Sequence, residues 1–205
     1  MKVRYLIPVL LVLVGCSEPM PRNLDSLIQE GDREVFTDPE TMTLYSGPVF
    51  RLDADDSTRV VFRAVLRNGK PDGSFTDYEP EGAEASLGLY QEGEYRDGLK
   101  EGPFTNFYPS GIIRGEGSYR SGRMDGPYTS WHENGQLRQN ANYSNGDLDG
   151  PYESYFENGQ LNKKGYVSNG EWDGPYEEYF ENGQLNRKGS YSNGEWDGPF
   201  ESYEE

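Results

Sequence analysis

The chain has 205 residues, 33% hydrophobic and 27% charged, with a net charge of −17 and a mean hydropathy of −0.90. That balance excludes a thick globular core, and the acidic surface excludes nucleic acid as a partner, because phosphate backbones are bound through Lys and Arg. With 16 Tyr, 9 Phe and 3 Trp it is not a disordered acidic chain either. Its 26 Gly and 13 Pro suit short strands, dense turns and a thin aromatic-rich sheet.

In chain order, Lys2 and Arg4 precede an apolar run at residues 5–14, followed by Leu13-Val14-Gly15-Cys16. The run is too short for a permanent membrane span, which needs about 20 residues. The four residues resemble the lipobox of bacterial lipoproteins. The resemblance implies that residues 1–15 are a signal peptide and that Cys16 is acylated after cleavage, giving stable attachment through several acyl chains. Ser17 after the Cys favours the outer membrane of a double-membraned cell. Cys16 is the only cysteine, so a lipid there leaves no thiol for a disulfide, a nucleophile or a metal. Loss of Lys2 and Arg4 leaves 17 basic residues against 36 acidic, a net charge of −19.

Residues 16–32 read as the lipidated end and a tether. Asn23 is placed to cap one helical turn over residues 24–29, with nothing nearby to bury that turn.

From Gly150 the sequence reads GPYESYFENGQLNKKGYVSNGEWD, and from Gly174 GPYEEYFENGQLNRKGSYSNGEWD; Gly126 and Gly102 open units of the same 24-residue frame. A further unit begins at Gly198, and longer, degenerate versions begin at Gly73 and Gly47. The array therefore divides into degenerate repeats at 33–101 and regular repeats at 102–205. Each unit carries two turn signals. One is Asn134-Gly135, Asn158-Gly159 or Asn182-Gly183, and the other is Asn145-Gly146, Asn169-Gly170 or Asn193-Gly194. Asn-Gly between aromatic and apolar runs is a strong hairpin signal, because both residues tolerate positive φ. The fold class is all-β: an antiparallel meander of tandem hairpins.

Period-two alternation puts Tyr152, Ser154 and Phe156 on one face and Glu153, Tyr155 and Glu157 on the other. One aromatic row runs through Tyr128, Tyr152 and Tyr176, another through Trp131, Tyr155, Tyr179 and Tyr203. In the second strand Leu161 and Val167 share parity, as do Ile113 with Tyr119, Leu137 with Tyr143 and Leu185 with Tyr191. No unit can bury its own rings, so an identical neighbour supplies the other half of its core.

The string NGEWDGPYESYFENGQL resembles the MORN repeat variant found in tandem in YwqK-type antitoxin-like bacterial proteins. The likeness covers about residues 33–205 and departs from the regular pattern at 73–101 and at His132, where sister units have Phe. It implies an elongated, twisted antiparallel sheet of tandem β-hairpins, and it transfers no catalytic residue. MORN arrays are associated with protein contacts and with membrane lipids.

No catalytic constellation is expected. His132, the sole histidine, occupies the slot of Phe156 and Phe180 and reads as a packing replacement. Glu153, Glu177 and Glu201 recur once per unit, whereas an acid/base pair needs two unlike environments. Asp147 with Asp149, Glu171 with Asp173 and Glu195 with Asp197 are too sparse for a calcium loop, so no metal and no cofactor is expected. Lys163, Lys164, Arg187 and Lys188 are placed to pair with the acidic strands.

The sequence thus points to a non-catalytic, lipid-anchored binding or scaffold module of the cell envelope, held to the membrane through Cys16. Trp131, Tyr155, Tyr179 and Tyr203 form the candidate face for a protein or glycan partner. The alternatives are an immunity-type antitoxin and, behind it, a glycan-acting enzyme. Glu204 and Glu205 would discourage edge pairing, so a monomer is expected.

Overall fold

The computed structural model describes residues 20–29, 35–53, 57, 60–78 and 89–204; the expected signal peptide at 1–15 and Cys16 lie outside them. Almost all regular structure is strand, and among the described residues no helix is long and apolar enough to cross a membrane. The strands in chain order are β1 (Arg22–Asn23), β2 (Ile28–Gln29), β3 (Phe36–Asp38), β4 (Thr43–Leu44), β5 (Gly47–Leu52), β6 (Val60–Arg67), β7 (Lys70–Tyr78), β8 (Leu89–Arg96), β9 (Leu99–Phe107) and β10 (Ile113–Arg120). They continue with β11 (Arg123–Met124), β12 (Gly126–Trp131), β13 (Leu137–Ser144), β14 (Asp147–Leu148), β15 (Gly150–Tyr155), β16 (Leu161–Ser168), β17 (Glu171–Tyr179), β18 (Leu185–Ser192), β19 (Glu195–Trp196) and β20 (Glu201–Ser202). From β5 onward, neighbours in sequence are antiparallel neighbours in space, a long meander of two strands per unit.

The two turns of a unit differ in kind. At Asn169-Gly170 both residues have positive φ, 51° and 87°, the type I′ geometry whose twist matches a hairpin. Asn145, Asn193, Asn68, Asp97 and Ser121 repeat it. At Asn158-Gly159 only the glycine is positive, at 83°. Gly159 N–H donates to the Phe156 carbonyl at 2.9 Å and Phe156 N–H to the Gln160 carbonyl at 2.8 Å, a type I turn closed by a glycine bulge. The expected hairpin forms here too, with the left-handed region used by the glycine alone. Asn158 instead uses its side chain: Oδ1 accepts from Gln160 N–H at 2.9 Å and Nδ2 donates to the Glu181 carbonyl one unit on at 2.8 Å.

A correction concerns the faces. Ser154 pairs with Lys163 but Tyr155 with Leu161, so Asn162 is an extra residue on β16. A bulge of this kind reverses the parity beyond it. Leu161 therefore shares the Tyr155 face, while Val167, which pairs with Gly150, stays on the Tyr152 face. The bulge recurs with Trp131 paired to Leu137, Tyr179 to Leu185 and Phe107 to Ile113. The expected shared parity of Leu161 with Val167, and of its counterparts, fails for this one reason.

The Tyr152 face carries the main repeat core. Phe75, Phe104, Tyr128, Tyr152 and Tyr176 each lie beside a small residue of the neighbouring strand, respectively Gly93, Gly117, Ala141, Gly165 and Gly189. The space is filled by rings in contact: Phe104 with Tyr119 at 4.5 Å, Tyr152 with Trp172 at 5.2 Å, Trp172 with Tyr176 at 4.8 Å and Tyr191 with Trp196 at 4.2 Å. Each such pair adds about 0.5–1.5 kcal/mol beyond its area burial.

At the N-terminal end this row runs into the deepest core. Leu24, Leu27, Phe36, Tyr45, Val49, Ala64, Leu66 and Phe75 form one buried cluster. β1 adds to β5 in parallel, and β2, β3 and β4 make a small second sheet. Asn23 does cap a turn, its Oδ1 accepting from Asp25 N–H, but the turn is a 3₁₀ turn at Leu24–Ser26. The expectation that nothing buries it is corrected: Leu24 is 5% exposed and Leu27 8%. The physical reason is that a repeat array must close its first interface, and this segment supplies the lid. Arg22 fixes it from the rim through a 2.8 Å ion pair to Asp38.

Candidate functional site

Successive cross-strand partners Ser130, Gln139, Ser154, Lys163, Glu178, Arg187 and Ser202 run in one line across the sheet on the Tyr152 face. The residue after Ser130, Ser154, Glu178 and Ser202 is therefore also in line, on the opposite face. Those residues are Trp131, Tyr155, Tyr179 and Tyr203, so the structure brings the four sequence-predicted site residues into a single row. Trp131, Tyr155 and Tyr179 are half-buried and Tyr203 is 45% exposed.

Sequence reasoning missed the residues between them. Because of the bulges, Leu137, Leu161 and Leu185 face Trp131, Tyr155 and Tyr179, and Phe107 with the 40% exposed Ile113 extends the row. The result is an unbroken apolar stripe in which aromatic and aliphatic side chains alternate. Only the regular recurrence of Gly-Gln-Leu or Gly-Ile-Ile before each second strand hinted at it.

The phenols of this row are fixed. Tyr155 donates to Glu153 at 2.7 Å and Tyr179 to Glu177 at 2.6 Å, and Tyr203 makes the same bond to Glu201. Burial, helped by the bond to Glu153, pushes the Tyr155 phenol up to about 12. For Tyr179 the bond to Glu177 leads, with burial second, to the same value of about 12. A phenol held neutral and aimed at a carboxylate cannot swing, so each ring is presented at a set angle.

Beside the stripe, on the same face, Glu153, Lys164, Glu177, Lys188 and Glu201 are successive partners, a ladder of alternating charge that closes with Lys188 to Glu201 at 3.4 Å. On the other face Glu178 pairs with Arg187 and, at 3.7 Å, with Lys163. The expected pairing of the basic doublets with acidic strands is made by Lys163, Arg187 and Lys188, while Lys164 stands in register between Glu153 and Glu177; each doublet is divided between the two faces.

At the type I turn edge a cleft of about 420 Å³ opens beside the Tyr152 face, where Gln139, Tyr152, Ser154 and Lys163 line it. His132, Arg138, Glu157, Asn162 and Glu181 contribute further polar groups, and Tyr155 and Phe156 complete the lining. His132 Nε2 donates to the Tyr155 carbonyl at 2.9 Å, as Tyr108 donates to the Trp131 carbonyl at 2.8 Å one unit earlier. The histidine is thus a polar stitch between units as well as a packing replacement.

The acids at the type I′ edge cap turns. Asp72 and Asp125 accept from the N–H of Asp97 and Asn145, each at 3.4 Å, and Glu101 from that of Ser121 at 2.8 Å. Arg67, Arg96 and Arg120 pair with Asp72, Glu101 and Asp125. In later units Ser144, Ser168 and Ser192 replace those arginines, leaving a more acidic edge. No group of three or more acidic, His or Cys side chains gathers as a metal site among the described residues.

Four tandem segments, 100–121, 124–145, 148–169 and 172–193, match the MORN repeat variant. No curated protein matches the chain. Repeats of this family are generally non-catalytic binding or scaffold modules.

Proposed function

We propose that the chain is a lipid-anchored, monomeric, non-catalytic binding module of a bacterial cell envelope, attached through Cys16 at the outer membrane. Its contact surface is the row of Trp131, Tyr155, Tyr179 and Tyr203. The single observation carrying this reading is the apolar stripe itself, which stays half-open along the Tyr155 face although the repeat core is already made on the other side. Rigid Tyr and Trp rings are the side chains that dominate contact energy in recognition. The anchor reading rests on the lipobox-like residues 13–16.

Two measurements test it. Replacing Cys16 by Ala should move the protein from the membrane fraction to the soluble one; unchanged partitioning would overturn the anchor. Capture from native envelopes should recover a partner with wild type and lose it with a folded Tyr155→Ser, Tyr179→Ser variant. Equal recovery from both would overturn the face.

A second reading, neutralisation of a basic toxin within the envelope, draws on the net charge of −17 and on the acidic edge left by Ser144, Ser168 and Ser192. Acidic surfaces of this kind steer basic partners.

A further inference from the structure

The ligand class can be narrowed, on the premise that the stripe is the contact surface. We infer that it takes an extended, β-linked glycan strand of the kind that builds a cell wall, laid across the strands with its sugar rings on the aromatic row.

Spacing is the first ground. Trp131, Tyr155, Tyr179 and Tyr203 recur every second strand, and adjacent strands are about 4.8 Å apart, so the rings repeat at about 10 Å along the row. An extended β-linked glycan turns each sugar over relative to the last and therefore presents the same ring face once per disaccharide, at the same rise. Leu137, Leu161 and Leu185 lie between the rings and form the floor for the intervening sugar. A polymer that repeats suits a site that repeats.

Polarity is the second ground. The apolar C–H face of a sugar stacks on an aromatic ring while its rim of hydroxyls needs donors and acceptors. Along one side of the stripe, Glu153, Lys164, Glu177, Lys188 and Glu201 offer both, already matched in charge across the strands. A neutral, hydroxyl-rich ligand can bond to alternating Glu and Lys without adding charge of either sign to the row, whereas a strongly basic or acidic chain would meet like charges at every second position.

The test uses full-length protein in detergent and oligomers of β-linked N-acetylglucosamine two, four and six sugars long, with calorimetry as the readout. Affinity should rise about threefold to tenfold with each added disaccharide, as one more ring is engaged. Tyr179→Ala should abolish the gain between the longer oligomers and leave the disaccharide unchanged. Tyr179→Phe, which keeps the ring, should retain the wild-type length dependence and decides the matter if the alanine variant does not fold. Absence of binding by wild type, or affinity independent of length, would overturn the inference. Recovery of a protein partner in the envelope capture alongside no oligomer binding would overturn the glycan and leave the contact surface standing.

Discussion

The indole of Trp172 lies over Gly165, so closely that a Cβ on the glycine would stand 2.8 Å from Cζ3 and 3.0 Å from the Pro175 carbonyl oxygen. Trp196 covers Gly189 in the same way. One unit earlier the two slots hold Ala141 and Leu148: where leucine stands in place of the indole, the floor carries a methyl group. Gly165→Ala should therefore destabilise the protein by about 1–3 kcal/mol through overpacking. Adding Trp172→Leu should recover part of that loss, giving a coupling of at least about 1 kcal/mol in a denaturant double-mutant cycle. Simple additivity would show that the indole and the glycine are independent.

The two Asn-Gly turns should respond differently to the same substitutions. At Asn169, with φ of 51°, glycine should be tolerated within a few tenths of a kcal/mol and alanine should cost about 1 kcal/mol or more, because only alanine resists the left-handed region. At Asn158, glycine and alanine should both cost about 1–2 kcal/mol, since either removes the bonds to Gln160 and Glu181. Urea midpoints of the four variants check the order.

Alkaline stability should depend on the Tyr155 face. The phenols of Tyr155 and Tyr179 are raised from 10.0 in the ordinary case to about 12, so the folded state holds their protons more tightly than the unfolded chain. Their contribution is whole below about pH 10 and is lost as the pH climbs through about 12. A Tyr155→Phe, Tyr179→Phe variant should be less stable than wild type at neutral pH and lose stability less steeply between those limits. Thermal melts across that range, with tyrosinate absorbance recorded alongside, supply the comparison.

Closure of the N-terminal end predicts a local contrast. Leu24→Ala removes a side chain that is 5% exposed, packed in the cluster with Leu66 and Val49, and should cost about 2–5 kcal/mol. Leu44, 48% exposed on β4, should tolerate alanine within about 0.5 kcal/mol. Equal effects at the two positions would mean that the segment around Leu24 is not a lid.

Much of this architecture is legible in the sequence, and the parts that are not share a cause. The 24-residue frame, the strand pairs and the row of Trp131, Tyr155, Tyr179 and Tyr203 follow from recurrence and period-two alternation, which act locally. The bulges at Arg138, Asn162 and Asn186 do not, because an inserted residue leaves composition and period untouched while it turns Leu137, Leu161 and Leu185 to the other face. The lid at Leu24 and Leu27 escapes for a different reason: it belongs to no repeat, and its burial depends on Phe36, Val49 and Leu66, which are distant in sequence. The two turn types look alike in sequence because glycine serves both, and only the φ of the preceding Asn separates them.

The central claim, that the Tyr155 face is the working surface, is tested most directly by photo-crosslinking in intact envelopes. A photoreactive phenylalanine analogue is placed singly at Tyr155, Tyr179, Tyr152 and Asn182. The account predicts adducts to a common partner from Tyr155 and Tyr179, and none from Tyr152 on the opposite face or from the turn at Asn182. Adducts concentrated at Tyr152 or Asn182, or none at Tyr155 and Tyr179, would contradict it.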